Sequence, residues 1–125
     1  MLRETIFVVD DDEAVRDSMA LLLAASGFTV QTFATGAEFL TAHDVDAGRC
    51  AIVDVHMPDI DGFAVVEALH ARKLEMSVVL ITGRSDAAVE ARARTLGVHP
   101  VLQKPLRKGM LIQTLRQALS STKKD

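Results

Sequence analysis

Short apolar runs rich in branched residues recur along the chain at residues 6–9 (IFVV), 28–33 (FTVQTF), 51–53 (AIV), 78–81 (VVLI) and, more weakly, 101–102 (VL). Longer stretches with helical spacing separate them. Val15, Met19, Leu22 and Leu23 share one face of a helix, and Leu111, Leu115, Ala118 and Leu119 share one face of another. Ala37 and Leu40, then Phe63, Val66 and Leu69, repeat the pattern over shorter spans, while 87–93 is Ala- and Arg-rich and helical by propensity. The punctuation agrees with this division. Gly27 ends the first helix, Thr35 caps the second, and Pro58 with Asp61-Gly62 marks a loop before the third. Asp86 caps the fourth helix and Gly97 ends it. Five strands alternating with five helices predict an α/β fold: a doubly wound parallel sheet covered on both faces. The common order for five strands is 2-1-3-4-5. No internal repeat or linker divides the chain, so residues 1–125 are expected to form a single domain, with 120–125 as a polar tail.

Composition narrows the class without changing it. With 49% hydrophobic and 25% charged residues, 125 residues suffice for one ordinary core. The net charge of −3 argues against a nucleic-acid-binding surface, which shows as a basic excess. Cys50 is the single cysteine, at the head of an apolar run, and is expected to be a buried, reduced thiol. The apolar stretch near the N-terminus is too short for a signal peptide, and no stretch reaches membrane-spanning length. A cytoplasmic protein with no membrane partner is the expectation.

The polar residues that follow each strand carry the chemistry. The first strand runs into Asp10, Asp11 and Asp12; the third into Asp54; the fourth into Thr82 and Gly83; the fifth into Lys104 and Pro105. In an open parallel sheet, ligands bind beyond the carboxyl ends of the strands, where the strand order reverses. The predicted order therefore brings three carboxylates, a hydroxyl and a lysine to one cleft. Carboxylates so close repel, and a divalent cation removes the conflict. Oxygen ligands with room for waters suit Mg2+. Lys104 offers a point charge for phosphate and Thr82 a hydroxyl donor. Phosphoryl transfer needs positioning and charge neutralisation above all, and a carboxylate can itself be the nucleophile.

These residues resemble the response-regulator receiver domains of two-component signalling, the FixJ-type branch in particular. The resemblance spans nearly the whole chain: FVVDDDEAVRDSMALLLAASGF, then DVHMPDIDG, ITG and QKPL, in order. It implies a flavodoxin/CheY-like fold and a signalling switch that is not a conventional enzyme, catalysing only its own phosphorylation and dephosphorylation. On this resemblance Asp54 is the phosphoacceptor. Mg2+ is held by Asp11 directly, by Asp10 mostly through water, by Asp54, and by the main-chain carbonyl of His56. Thr82, the amide of Gly83 and Lys104 contact the phosphoryl oxygens, and the Lys104–Pro105 bond is cis. His56 and Arg84 stand where such domains tune phosphoryl lifetime. Phosphorylation is expected to shift populations on the face made by the fourth helix, fifth strand and fifth helix. The chain departs from the pattern at Val101, where the family places a switch aromatic. Implied partners are a histidine kinase or phosphotransfer protein, and a downstream protein or a C-terminal DNA-binding domain. A phosphorylation-dependent homodimer is also implied.

Plainer readings stand beside these. Asp12 reads as a helix cap. Thr82 alone is an ordinary strand-end residue, and Lys104 alone a surface lysine. His43, His70 and His99 show no metal-ligand spacing. Arg84, Arg92 and Arg94 form either a solvated face or a docking patch. Two rival functions remain: a haloacid-dehalogenase-like phosphatase, whose nucleophile would lie in Asp10-Asp11-Asp12, and a pseudo-receiver that binds proteins independently of phosphate.

Overall fold

A computed structural model of the chain describes residues 5–42, 50–74, 76–98 and 100–123. His43 and His99 therefore lie outside the described residues. Among the described residues five strands and five helices alternate: β1 (Thr5–Val9), α1 (Glu13–Ala25), β2 (Thr29–Phe33), α2 (Gly36–Leu40), β3 (Cys50–Asp54), α3 (Gly62–Ala71), β4 (Ser77–Thr82), α4 (Ala87–Leu96), β5 (Leu102–Gln103) and α5 (Lys108–Lys123). All strand pairs are parallel and the order is β2-β1-β3-β4-β5, as the sequence predicts. The order reverses beside β1, where β3 has crossed to the opposite side from β2.

Helices cover both faces of the sheet, so central strands must be apolar on both sides. Every residue of β3 is buried, whereas the edge strand β2 (TVQTF) has exposed and half-buried positions. One core gathers Phe7, Val9, Phe39, Val53, Phe63, Val66 and Leu80. Its Phe7, Phe33 and Phe39 rings lie 5.3–5.9 Å apart in tilted pairs, and each fully buried ring contributes roughly 2–3 kcal/mol of apolar burial. The opposite core is aliphatic: Ile6, Val8, Met19, Leu23, Ile52, Ile81, Leu111 and Leu115.

Three caps fall where the sequence places them: Asp12 accepts from the amides of Ala14 and Val15, Thr35 from Glu38 and Asp86 from Val89. Asp61, read from the sequence as part of a loop, also caps α3 by accepting from Ala64. Gly27 (φ 98°) and Gly97 (φ 77°) take the left-handed conformation that releases the chain from α1 and α4. Two boundaries differ from expectation. α5 continues through Lys123, so the polar stretch from Ser120 begins as helix; helical hydrogen bonding does not require an apolar face there. Val101 is buried but lies just ahead of β5, which begins at Leu102 in register with Ile81.

Candidate functional site

The register of the central strands fixes the site. Val9 pairs with Val53, so Asp10 and Asp54 emerge at the same level from adjacent strands. Both are buried, Asp10 at 0% and Asp54 at 4% relative exposure, and Thr82, ending β4, is the third buried polar residue among those described. Lys104 arrives from beyond β5, its amide donating to the Thr82 carbonyl at 2.8 Å. From there Lys104 Nζ reaches Asp10 Oδ2 at 2.9 Å and Asp54 Oδ2 at 3.5 Å. The Lys104–Pro105 peptide is cis.

Each carboxylate is held locally as well. Asp10 Oδ1 accepts from the Asp12 amide (2.9 Å), and Arg16 Nη1 donates to the Asp10 carbonyl (2.8 Å), tying α1 to the strand end. Asp54 Oδ1 accepts a long bond from the His56 amide, 3.4 Å. Burial pushes the Asp54 carboxyl above its ordinary value and the Asp10 charge adds to the rise, while Lys104 and the His56 amide pull it back. For Lys104 burial acts downward, but the Asp10 and Asp54 carboxylates outweigh it and raise the ammonium above its ordinary value. Among the described residues, the geometry thus brings the buried carboxylates of two strand ends onto the Lys104 ammonium.

One oxygen of this cluster is incompletely satisfied. Asp10 Oδ2 is buried with no aligned hydrogen-bond donor, although it lies in ion-pair range of Lys104. Among the described residues, Asp10, Asp11 and Asp54 each offer a carboxylate oxygen within 4.8 Å of the others, with Asp11 exposed to solvent. An oxygen-only donor set with one solvent-facing member fits Mg2+, which keeps several waters. Three of the four predicted ligands, the carboxylates of Asp10, Asp11 and Asp54, thus lie close together.

Other predicted residues are placed differently. Thr82 Oγ1 both donates to the Arg84 carbonyl (3.0 Å) and accepts from the Arg84 amide (3.1 Å), so its hydroxyl is engaged by its own loop. Gly83, Arg84 and His56 are exposed at the rim. Arg92 is not part of a free basic patch with Arg84 and Arg94: it lies over the Phe63 ring at 4.8 Å and 3.4 Å from Glu67, linking α4 to α3. His70, on α3, is exposed.

Sequence reasoning missed three contributors. Arg16 supports the Asp10 main chain, as above. Gly62 packs so closely on β3 that a Cβ there would sit 2.7 Å from the Asp54 carbonyl oxygen. Asp59 bonds the Gly36 and Ala37 amides. The glycine had a visible signal, standing directly after a capping aspartate; the other two pairings exist only in the folded chain. Beside Lys104 and Gly83, an apolar groove of about 560 Å³ runs between α1 and the start of α5, lined by Val15, Met19, Leu22 and Leu106.

Comparison with known proteins points the same way. Residues 6–116 match the response regulator receiver domain family. The chain is similar to the transcriptional regulatory protein FixJ of Azorhizobium caulinodans, 38% identical over 115 residues that cover 91% of this chain and 54% of that protein. It is also similar to the transcriptional regulatory protein TdiR of Thauera aromatica, 34% identical, covering 93% of this chain and 51% of that protein. The chain thus spans about half the length of these curated relatives. Among solved structures, the crystal structure of FixJ-N superposes with a TM-score of 0.84 at 30% identity, covering 96% of each chain.

Proposed function

Because this chain belongs to the response regulator receiver domain family of two-component systems, a family of signalling domains, we propose that it is a switch thrown by phosphorylation of Asp54. The observation that carries the reading is the juxtaposition of two buried carboxylates, Asp10 and Asp54, on one lysine. Such an arrangement is unfavourable for stability alone, since each buried charge is incompletely compensated. It suits a site that receives further charges of both signs.

In this reading an Asp54 carboxylate oxygen attacks phosphorus as the P–N bond of a phosphohistidine donor breaks. The donor nitrogen keeps the electron pair and regains a proton from solvent. Asp10, Asp11, Asp54 and the His56 carbonyl would hold Mg2+, which supplies neutralisation of the phosphoryl oxygens when bound. Lys104 moves from its two carboxylates to pair with a phosphoryl oxygen. Thr82 must give up its Arg84 main-chain bonds to reach another, and the amide of Gly83, an exposed residue beside it, donates to the same group. Withdrawing Thr82 reshapes the loop leading to the Asp86 cap, and so the start of α4. Val101, buried next to this region, provides apolar packing where a ring would gate the movement. The apolar groove beside Lys104 suits a protein donor such as a histidine kinase or phosphotransfer protein. Arg84 and His56, both exposed, would set how readily water reaches the acyl phosphate. An output through a downstream protein, an attached DNA-binding domain or a second copy would read the altered face.

Intact-mass spectrometry after incubation with acetyl phosphate, with and without Mg2+, tests the assignment. A single Mg2+-dependent phosphoryl adduct is expected in the wild type and none in Asp54→Asn. An adduct that survives the substitution would move the nucleophile to Asp10 or its neighbours. Absence of any adduct in the wild type would leave a phosphate-independent binding module.

A further inference from the structure

We propose that Asp59 is a positioning residue for the phosphorylation site, fastening the loop that leaves β3 to the first turn of α2. The inference rests on the reading of Asp54 given above. The loop from Val55 to Asp61 carries His56 past the acceptor. It is pinned at its near end: the Val55 amide donates to the Ile81 carbonyl (2.8 Å) and its carbonyl accepts from the Gly62 amide (2.9 Å). Met57 anchors the middle in the core beside Phe63. The far end reaches across to a different segment, where Asp59 Oδ2 accepts from the Ala37 amide at 3.0 Å and Oδ1 from the Gly36 amide at 3.4 Å.

Local capping does not supply this contact. Thr35 Oγ1, the cap adjacent in sequence, serves the Glu38 amide at 3.0 Å and leaves those of Gly36 and Ala37 to an acceptor 22–23 residues away. Nor is the contact loose. A Cβ on Gly36 would lie 2.6 Å from Ile60 Cγ1, so the loop sits directly on the turn whose amides Asp59 binds. On the other side Asp61 caps α3 and Gly62 presses on the Asp54 carbonyl. Asp59, Ile60, Asp61 and Gly62 therefore form an unbroken line from α2 to the acceptor. Burial opposes ionisation of Asp59, but the amides of Ala37, Ile60 and Gly36 outweigh it and hold the carboxyl below its ordinary value. The fastening is charged wherever Asp54 is. Freed from α2, the segment bearing the His56 carbonyl keeps its anchors at Val55, Met57 and Asp61 but loses the tie between Met57 and Asp61, and the oxygen donors no longer share one geometry.

The test compares Asp59→Ala, Asp59→Asn and Thr35→Ala with the wild type in two measurements: Mg2+ affinity from amide NMR shifts of Asp11 and His56, without phosphodonor, and the rate of adduct formation with acetyl phosphate. Residues that orient ligands rather than bind them change affinity or activity by roughly 10–100-fold. Asp59→Ala is expected at about the lower end in both measurements. Asp59→Asn, which keeps one acceptor oxygen, should fall between it and the wild type, and Thr35→Ala should match the wild type. Equal losses in Thr35→Ala and Asp59→Ala would reduce Asp59 to a helix cap and overturn the proposal. So would wild-type Mg2+ affinity in Asp59→Ala. Should Asp59→Ala fail to fold, Asp59→Asn against Thr35→Ala decides by the same criteria. A wild type that binds Mg2+ yet takes no phosphoryl group would sink the function proposed above, while the Mg2+ affinities would still decide the role of Asp59.

Discussion

The two ends of β3 bury a titratable side chain each, and their surroundings make them opposites. Cys50 begins the strand at 0% exposure, between Ile6 on β1 and Ser77 on β4, in the aliphatic core. Burial pushes its thiol up to about 12, and among the described residues no charged neighbour answers it. Asp54 ends the same strand nearly as deeply buried, and burial pushes it upward too, but Asp10 and Lys104 flank it. Burial by itself thus produces an inert neutral group. Burial together with charges of both signs, delivered by adjacent strand ends, produces a group poised for chemistry.

The largest test of this contrast is Lys104→Ala, which strips the acidic end of its cation. Removing one partner from a buried ion pair destabilises by about 3 kcal/mol where the survivor stays buried, as Asp10 would. The raised Lys104 pKa means this stabilisation is fully present below the ordinary lysine value of 10.5 and is lost as pH rises through the higher folded value. Urea unfolding at neutral pH should show the whole deficit; a variant as stable as the wild type would mean that the lysine does not offset the acids.

Asp54→Asn should act in the opposite direction. A carboxyl whose folded pKa lies above 3.8 loses stability as pH rises from 3.8 to the folded value, and the loss then stays constant. The asparagine variant should therefore melt a few degrees higher at neutral pH, with the gain fading as pH falls through that window. A lower melting temperature at neutral pH would show that the carboxylate is stabilised in place. The smallest effect belongs to the other end of the strand. The native Cys50 thiol should resist alkylation at mildly alkaline pH, and Cys50→Ala should take up phosphoryl at the wild-type rate. Rapid labelling of the folded protein would erase the distinction between the two ends.

Much of this layout was legible because it depends on local signals. Apolar runs at 6–9, 51–53 and 78–81 mark strands buried on both faces, and Thr35, Asp86 and Gly97 act within a few residues of themselves. The acids and lysine of the site were legible through topology, since parallel order places all strand ends on one edge. What escaped are pairings between side chains and distant backbone or rings. Asp59 with α2, Arg16 with the Asp10 carbonyl and Arg92 with Phe63 leave no periodic trace. Thr82 shows the same limit at short range: its spacing predicts a hydroxyl at the cleft, and only the turn geometry reveals that Arg84 already occupies it.

The in-register pairing of Val9 with Val53 has a consequence for how the gene can vary. Alternate residues of a strand face opposite sides, so a one-residue deletion inside β1 or β3 turns every later side chain of that strand over. Asp10 or Asp54 would then point under a helix instead of toward its partner, even if the sheet itself survived. The same deletion in the surface turn around Arg72 and Lys73 shortens a connection and leaves both carboxylates in step. Length changes that leave the site intact thus belong in the turns, and the spacing within the two central strands is as much a part of the site as the aspartates themselves.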